Sequence, residues 1–173
     1  MTETLSKRQI VLARLVILLV IAFSAFGLVR YGLSDQDRQS FWRDMRARPG
    51  GPMTFRFILQ PAMAAFAAFR DGLKDARAGR SPYLWTVFTN RAERRARLNE
   101  GLISTAQIIL LGLGMDAIYQ FIVLRTFYPG QAVVIALGLA FIPYLLLRGP
   151  IARIVHWWRG DASINRKGHR HGR

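Results

Sequence analysis

Apolar residues fill long runs along this chain, and charged residues lie between the runs. The longest pair of runs occupies residues 101–147 and is interrupted only by the short turn at 125–130. A helix needs about 20 apolar residues to cross the core of a bilayer. The pattern therefore predicts a transmembrane hairpin, and Asp116 is the acidic residue within it.

An earlier run, Leu15–Val29, has no charged residue and is extended backwards by Ile10–Ala13 around Arg14. Arg14 lies near one end, where a long side chain can reach the headgroups. A cleaved signal peptide is the alternative, because basic residues precede the run. No convincing small-x-small cleavage site follows the run, since Ala22-Phe23-Ser24 lies inside it, which favours a retained transmembrane helix.

The third apolar run, Phe57–Phe69, is too short to cross a membrane as a helix and contains Pro61. From it onward an apolar stripe recurs at helical spacing, and Gly79 is predicted to end the helix. The stripe consists of Met63, Phe66, Phe69, Leu73 and Ala76. This amphipathic helix lies either in the plane of the membrane or on the protein's own hairpin.

These segments predict an all-α integral membrane protein. It has three transmembrane helices, one N-terminal and two in a C-terminal hairpin, and an in-plane amphipathic helix. The helix-breaking cluster 48–52 is the best domain boundary. The predicted segments are 1–52 (N-terminal transmembrane helix and polar linker), 53–100 (cytoplasmic or interfacial amphipathic region), 101–147 (transmembrane hairpin) and 148–173 (interfacial segment and basic tail).

Arg148-Gly149-Pro150 is predicted to end the second hairpin helix. Residues 151–158 then form a short interfacial segment, anchored by Trp157 and Trp158. The remaining residues, 159–173, are basic and contain glycine, so a disordered tail is expected.

The charge balance changes the expected partner. The chain has 173 residues, 51% of them hydrophobic, and a net charge of +15. In a soluble chain this would suggest nucleic acid, but 24 of the 25 Lys and Arg residues lie outside 101–147 and flank apolar segments. Anionic lipid is therefore the expected partner, at about 1 kcal/mol per basic residue. The predicted lipid-surface residues are Arg70, Lys74, Arg77, Arg94, Arg95, Arg97, Trp157 and Trp158.

The same charges orient the hairpin. Its turn carries one basic residue, whereas 70–100 carries eight and 148–173 carries seven. The positive-inside rule puts the turn outside a bacterial inner membrane and the C-terminus in the cytoplasm. Three crossings would place the N-terminus outside. A fourth crossing at 57–69 would place both termini inside and leave the six basic residues of 30–56 outside. Three crossings are favoured.

Asp116 is the main candidate for function. A charged carboxylate deep in a membrane helix costs roughly 2.5–3.5 kcal/mol, so it should face protein or water. At 100° per residue its helix face forms a candidate functional seam made of Thr105, Gly112, Asp116, Tyr119 and Gln120. The functional interpretations are a proton or cation site, or a contact with a partner. The structural alternative, which is favoured, is a protonated acid hydrogen-bonded to Gln120 or to a facing helix.

No catalytic set is recognisable. The chain has no cysteine, no phosphate-binding glycine loop and no H-E-x-x-H or G-x-S-x-G motif. His169 and His171 lie in a cationic tail where adventitious metal binding is the safer interpretation. No catalytic, cofactor-binding or metal residue and no cofactor is therefore predicted. An enzyme acting on lipid is the weakest of the hypotheses.

Three stretches, Phe55–Pro61, Gly79–Tyr83 and Met115–Phe121, resemble a group of small, uncharacterised bacterial inner-membrane proteins. The resemblance covers residues 53–153 and implies no activity or ligand. It implies that residues 1–52 are an addition to the module.

The sequence thus favours a non-enzymatic accessory or scaffold protein, with the seam as an intramembrane contact and basic surfaces on anionic lipid. The alternative is a small oligomeric ion or proton channel, or a transporter, in which Asp116 titrates. The expected partners are membrane lipids and another membrane protein or a second copy. Nucleic acid is not expected.

Overall fold

The structure, a computed structural model, describes residues 6–31, 39, 42–43, 46, 50, 54–125 and 127–168. The predicted domain boundary at 48–52 (except Gly50) and the two tail histidines lie outside the described residues. The described part of the chain contains five α-helices: α1 (Lys7–Tyr31), α2 (Arg56–Arg77), α3 (Tyr83–Thr89), α4 (Arg91–Tyr119) and α5 (Pro129–Gly168). A π-helical turn, Gln120–Leu124, continues α4. The predicted all-helical fold class is confirmed, because α1, α4 and α5 are long and apolar enough to cross a membrane.

The long helices stand side by side, and α1 runs in the same direction as α4. Gln9 near the start of α1 and Ser104 of α4 line one cavity. Near the other end of α1, Gly27 lies against Gly130, and Phe23 packs edge-to-face on Phe127 with ring centroids 5.6 Å apart. We call the end with residues 127–130 the turn end and the opposite end, with Arg97 and Arg148, the basic end. The favoured three-crossing arrangement had the N-terminus on the side of the turn, whereas in the structure α1 begins at the basic end.

Helix α2 packs along the hairpin and is antiparallel to α4. Arg56 at its start reaches Asp116, and Asp75 near its end reaches Arg97 and Arg148. Its 22 residues correspond to a length of about 33 Å. Of the two placements that the sequence left open, the structure therefore has the helix packed on the hairpin.

The contact face of α2 is its polar and small-residue face. Ala64 and Ala68 are fully buried between the polar residues at either end of the helix. The apolar stripe identified from the sequence points outward at Met63, Phe66 and Phe69, and the Phe66 side chain is 69% exposed. In a membrane this orientation is favourable, because lipid covers apolar side chains while polar groups find partners inside the bundle.

Two helix termini in this structure have the capping residues that their sequences favour. Gly79 has φ +63° just after the end of α2, the left-handed conformation in which a glycine ends a helix. The Asn90 side chain caps α4 by accepting hydrogen bonds from the backbone N–H groups of Ala92 and Glu93, at 3.1 and 3.4 Å.

The predicted helix end at Arg148–Pro150 is wrong, since α5 continues through it to Gly168. Pro150 normally constrains the residue before it, but that residue is Gly149, which lacks the Cβ atom that would clash. Because the helix continues, Ala152 is buried and Ile151 lies against Gly72 of α2. The contact is close: a Cβ atom added to Gly72 would lie only 2.9 Å from Ile151 Cγ2. Packing against α2 thus stabilises the turn of helix that the proline weakens.

Candidate functional site

Asp116 is fully buried, and both of its carboxylate oxygens have partners. Oδ1 accepts a hydrogen bond from Arg56 Nη1 at 2.6 Å, which is also a salt bridge between α4 and α2. Oδ2 accepts from Gln120 Nε2 at 2.5 Å. A buried charge-assisted pair of this kind holds the two helices in one register, because each charge would be costly if left alone.

Gln120 connects this pair to the turn of the hairpin. Its Nε2 also donates to the carbonyl of Tyr128 at 3.1 Å, and its Oε1 accepts from the Tyr128 backbone N–H. Arg125 has φ +53°, so the chain reverses direction through a left-handed residue. The π-helical turn at 120–124 therefore places the amide of Gln120 between Asp116 and the start of α5.

Gly112 makes room for the polar face of α2. A Cβ atom at Gly112 would collide with Gln60 Nε2. With glycine there, Gln60 Nε2 reaches the Ile108 carbonyl, and Arg56 Nη2 reaches the Gly112 carbonyl, both at 3.5 Å. The absence of a side chain thus lets two polar side chains of α2 approach the α4 backbone closely.

The five seam residues are all buried, but they are not one cluster. Gly112, Asp116 and Gln120 meet α2 or the turn. Thr105 instead donates to the Gly101 carbonyl at 2.8 Å within its own helix, and Tyr119 is buried at the edge of the face. The sequence did not predict that Arg56 and Gln60 belong to this site. A signal for a contact face was nevertheless present in the four-residue spacing of Arg56, Gln60, Ala64 and Ala68.

A second buried network lies at the basic end. Arg148 is its centre, donating to Asp75 Oδ2 at 2.8 Å, to Glu100 Oε1 at 2.7 Å and to the Tyr144 hydroxyl at 2.6 Å. The Tyr144 hydroxyl in turn donates to Asp71 Oδ2 at 2.8 Å. We call this set the end cluster: Asp71, Asp75, Arg97, Glu100, Tyr144 and Arg148. Two acidic residues of α2 are thereby joined to α4 and α5.

Tyr83 of α3 covers the end cluster. Its hydroxyl donates to the Arg97 carbonyl at 2.6 Å, and the Arg148 guanidinium lies 4.5 Å from its ring centroid. Burial raises the pKa of Tyr83 to about 12, so the phenol keeps its proton and its donor role at neutral pH. Gly101 leaves the space that this hydroxyl needs, because a Cβ atom there would lie 2.5 Å from it.

Some of the predicted lipid-surface residues are exposed, whereas others form hydrogen bonds or ion pairs within the protein. Arg70, Arg77, Arg95, Trp157 and Trp158 are exposed, and Lys74 is half-buried. Arg94 Nε donates to the Val87 carbonyl at 2.8 Å and so helps to cap α3. Arg97 is only 7% exposed and pairs with Asp75 and Glu100, so its placement on a lipid surface is wrong. Its charge is used inside the bundle.

The chain matches no protein-family model, no curated protein and no solved structure. The resemblance described from the sequence therefore stays a prediction, and any function has to be argued from the arrangement above.

Asp75 and Glu100 are a matched pair for testing the end cluster. Asp75 is buried and Glu100 is 35% exposed, although both accept from Arg148 and Arg97. We expect Asp75→Asn to lower the free energy of unfolding by about 3–5 kcal/mol, because it leaves the buried Arg97 and Arg148 with only the partly exposed Glu100 as counter-ion. Glu100→Gln should cost about 1 kcal/mol or less. Denaturant titration in detergent micelles measures both, and equal effects would show that burial does not control this cluster.

Proposed function

We propose that this protein is a non-enzymatic accessory or scaffold protein of a bacterial inner membrane. In this proposal the Asp116 seam holds a rigid helical module together, and the basic end rests on anionic lipid. The observation that carries it is the set of exposed arginines and indoles at the basic end, beside helices whose outer faces are apolar. Basic and aromatic side chains at that position are typical of membrane interfaces.

The same charges support a sidedness for the bundle. We propose that the turn end is outside and the basic end is in the cytoplasm, because 78–100 and the chain from 148 onward are rich in Lys and Arg. Since α1 begins at the basic end, the N-terminus would also be cytoplasmic. Helix α2 would then be a fourth crossing, with residues 32–55 outside.

The Asp116 seam supports a structural role rather than transport. Its intramembrane contact is made with α2 of the same chain, through Arg56 and Gln60. A proton or cation carrier needs an acid that its ion can reach, whereas Asp116 is fully buried and both its oxygens accept hydrogen bonds. Contacts with another membrane protein would be made on the outer faces of the helices.

Native mass spectrometry of the purified protein, mixed with phosphatidylglycerol and phosphatidylcholine, tests the lipid contact. We expect wild type to retain phosphatidylglycerol preferentially. The double variant Arg77→Gln/Arg95→Gln should weaken that retention by about fivefold per residue, the equivalent of about 1 kcal/mol each. Arg125→Gln, at the turn end, is the control and should leave retention unchanged.

Three results would contradict the proposal. The first is a lone monomer with no lipid preference and no co-purifying protein. The second is equal loss of retention in Arg125→Gln and the double variant. The third is proton or cation flux into proteoliposomes that Asp116→Asn abolishes while the protein remains assembled.

A further inference from the structure

A polar cavity lies between α1, α2 and α4 near the basic end, separate from the Asp116 seam. Its volume is about 90 Å³, which is room for several water molecules or one small polar group. Its polar lining comes from Gln9, Arg70, Asp71, Ser104 and Gln107, and its apolar wall from Leu12, Ala67 and Ile103. A polar cavity among membrane helices is unfavourable unless water or a polar ligand fills it.

The cavity lies at the depth of lipid headgroups. Ser104 and Gln107 are four and seven residues along α4 from Glu100, which is about 6–10 Å. Glu100 is partly exposed and pairs with the exposed Arg80, so it marks the aqueous boundary. The headgroup layer on each side of a bilayer is about 5–7 Å thick. The lining groups therefore lie where a headgroup joins its acyl chains.

Asp71 is the buried acid of this cavity, only 7% exposed. Its Oδ2 accepts from the Tyr144 hydroxyl, and no described residue donates to Oδ1. The neighbouring Arg70 is exposed and forms no ion pair with another described residue. The cavity thus presents one carboxylate and one guanidinium, together with two amides and a hydroxyl.

A ligand for this set has to carry both charges. A simple anion would be repelled by Asp71, and a simple cation by Arg70. A primary ammonium can donate to Asp71 and to the side-chain oxygens of Ser104 and Gln107, while a phosphate two carbons away binds Arg70. A quaternary ammonium has no N–H to donate, and none of the lining residues is aromatic, as a choline site requires.

We propose that this cavity binds the headgroup of phosphatidylethanolamine, with the ammonium on Asp71 and the phosphate on Arg70. The acyl chains would then lie along exposed apolar residues of α1 and α4. The inference rests on the proposed placement in a membrane, but it does not depend on the anionic-lipid contacts of Arg77 and Arg95.

Native mass spectrometry of delipidated protein, titrated separately with phosphatidylethanolamine, phosphatidylcholine and phosphatidylglycerol, tests the site. Wild type is expected to bind phosphatidylethanolamine at least about tenfold more tightly than phosphatidylcholine, the effect of losing charge-assisted hydrogen bonds. Asp71→Asn should remove that preference and leave phosphatidylglycerol retention unchanged. Arg77→Gln/Arg95→Gln should do the reverse, which separates failure of this site from failure of the proposed function.

Because Asp71→Asn also alters the hydrogen bond with Tyr144, a second variant is needed. The Gln107 side chain is exposed and makes no hydrogen bond with another described residue, so Gln107→Leu should fold normally and still weaken phosphatidylethanolamine binding. Ile118→Leu, on the exposed side of the same helix near the turn end, is the control. Equal binding of the ethanolamine and choline lipids by wild type, or an unchanged preference in both cavity variants, would overturn the proposal.

Discussion

Single cysteines at Gly50 and Arg125 are expected to react with a membrane-impermeant maleimide from the outer side of the membrane. Cysteines at Ser6 and Ser81 are expected to react only from the cytoplasmic side. The physical reason is that α2 lies alongside α4 from Asp116 to Arg97, so the residues just before α2 and just after it are at opposite ends of the bundle. The effect is all or none, which makes it the largest difference predicted for this protein.

The protein suits this experiment because it has no native cysteine, so each label reports one position. All four sites are exposed, and a Cβ atom at Gly50 would have no described residue beyond its chain neighbours within 4 Å. Labelling of right-side-out and inside-out vesicles in parallel gives each site its own control. If Gly50 and Ser81 reacted from the same side, α2 would not cross the membrane and the four-crossing arrangement would be rejected.

The second large effect is expected at the buried pair of Arg56 and Asp116. Either single variant, Arg56→Gln or Asp116→Asn, should lower the free energy of unfolding by about 3–5 kcal/mol. Each removes one charge and leaves the other buried without its partner. The double variant keeps amide groups at both positions and no unpaired charge, so its loss should be clearly smaller than the sum of the two singles.

The measurement is a double-mutant cycle on protein in detergent micelles, unfolded by denaturant titration. Ile118→Leu is a suitable control, since that side chain is two residues from Asp116 but faces outward, and it should change stability by less than about 0.5 kcal/mol. A strictly additive cycle would mean that the salt bridge contributes nothing to docking of α2. Wild-type stability in Asp116→Asn would have the same meaning.

The orientation of α2 shows what helical periodicity can and cannot predict. The sequence correctly predicted an amphipathic helix that Gly79 ends, and its two faces were recognisable from the spacing. Periodicity does not say which medium covers each face, however. In water the Phe66 side would be the contact face, but beside two membrane helices the contact face is the one with Arg56, Ala64 and Asp75.

Proline and glycine signals have a similar limit. Gly79 ended its helix as predicted, because it adopts the left-handed backbone conformation, with φ +63°, that turns the chain away from the helix axis. Pro150 does not end its helix, because Gly149 lacks the Cβ atom that would clash with the proline ring. The next helical turn also packs, through Ile151, against Gly72 of α2. Whether a proline or glycine ends a helix depends on tertiary contacts, and the residues next to it in the sequence do not specify these contacts.

By itself, the sequence determined the long apolar helices, the hairpin with its turn, and the shared helix face of Gly112, Asp116 and Gln120. These follow from local composition and from the 3.6-residue period. Only the tertiary structure decided that Arg56, sixty residues from Asp116, is its partner, that α1 begins at the basic end, and that Arg97 is buried. The reason is that helix contacts between distant segments depend on which surfaces fit together, and a local pattern specifies a surface without specifying what covers it.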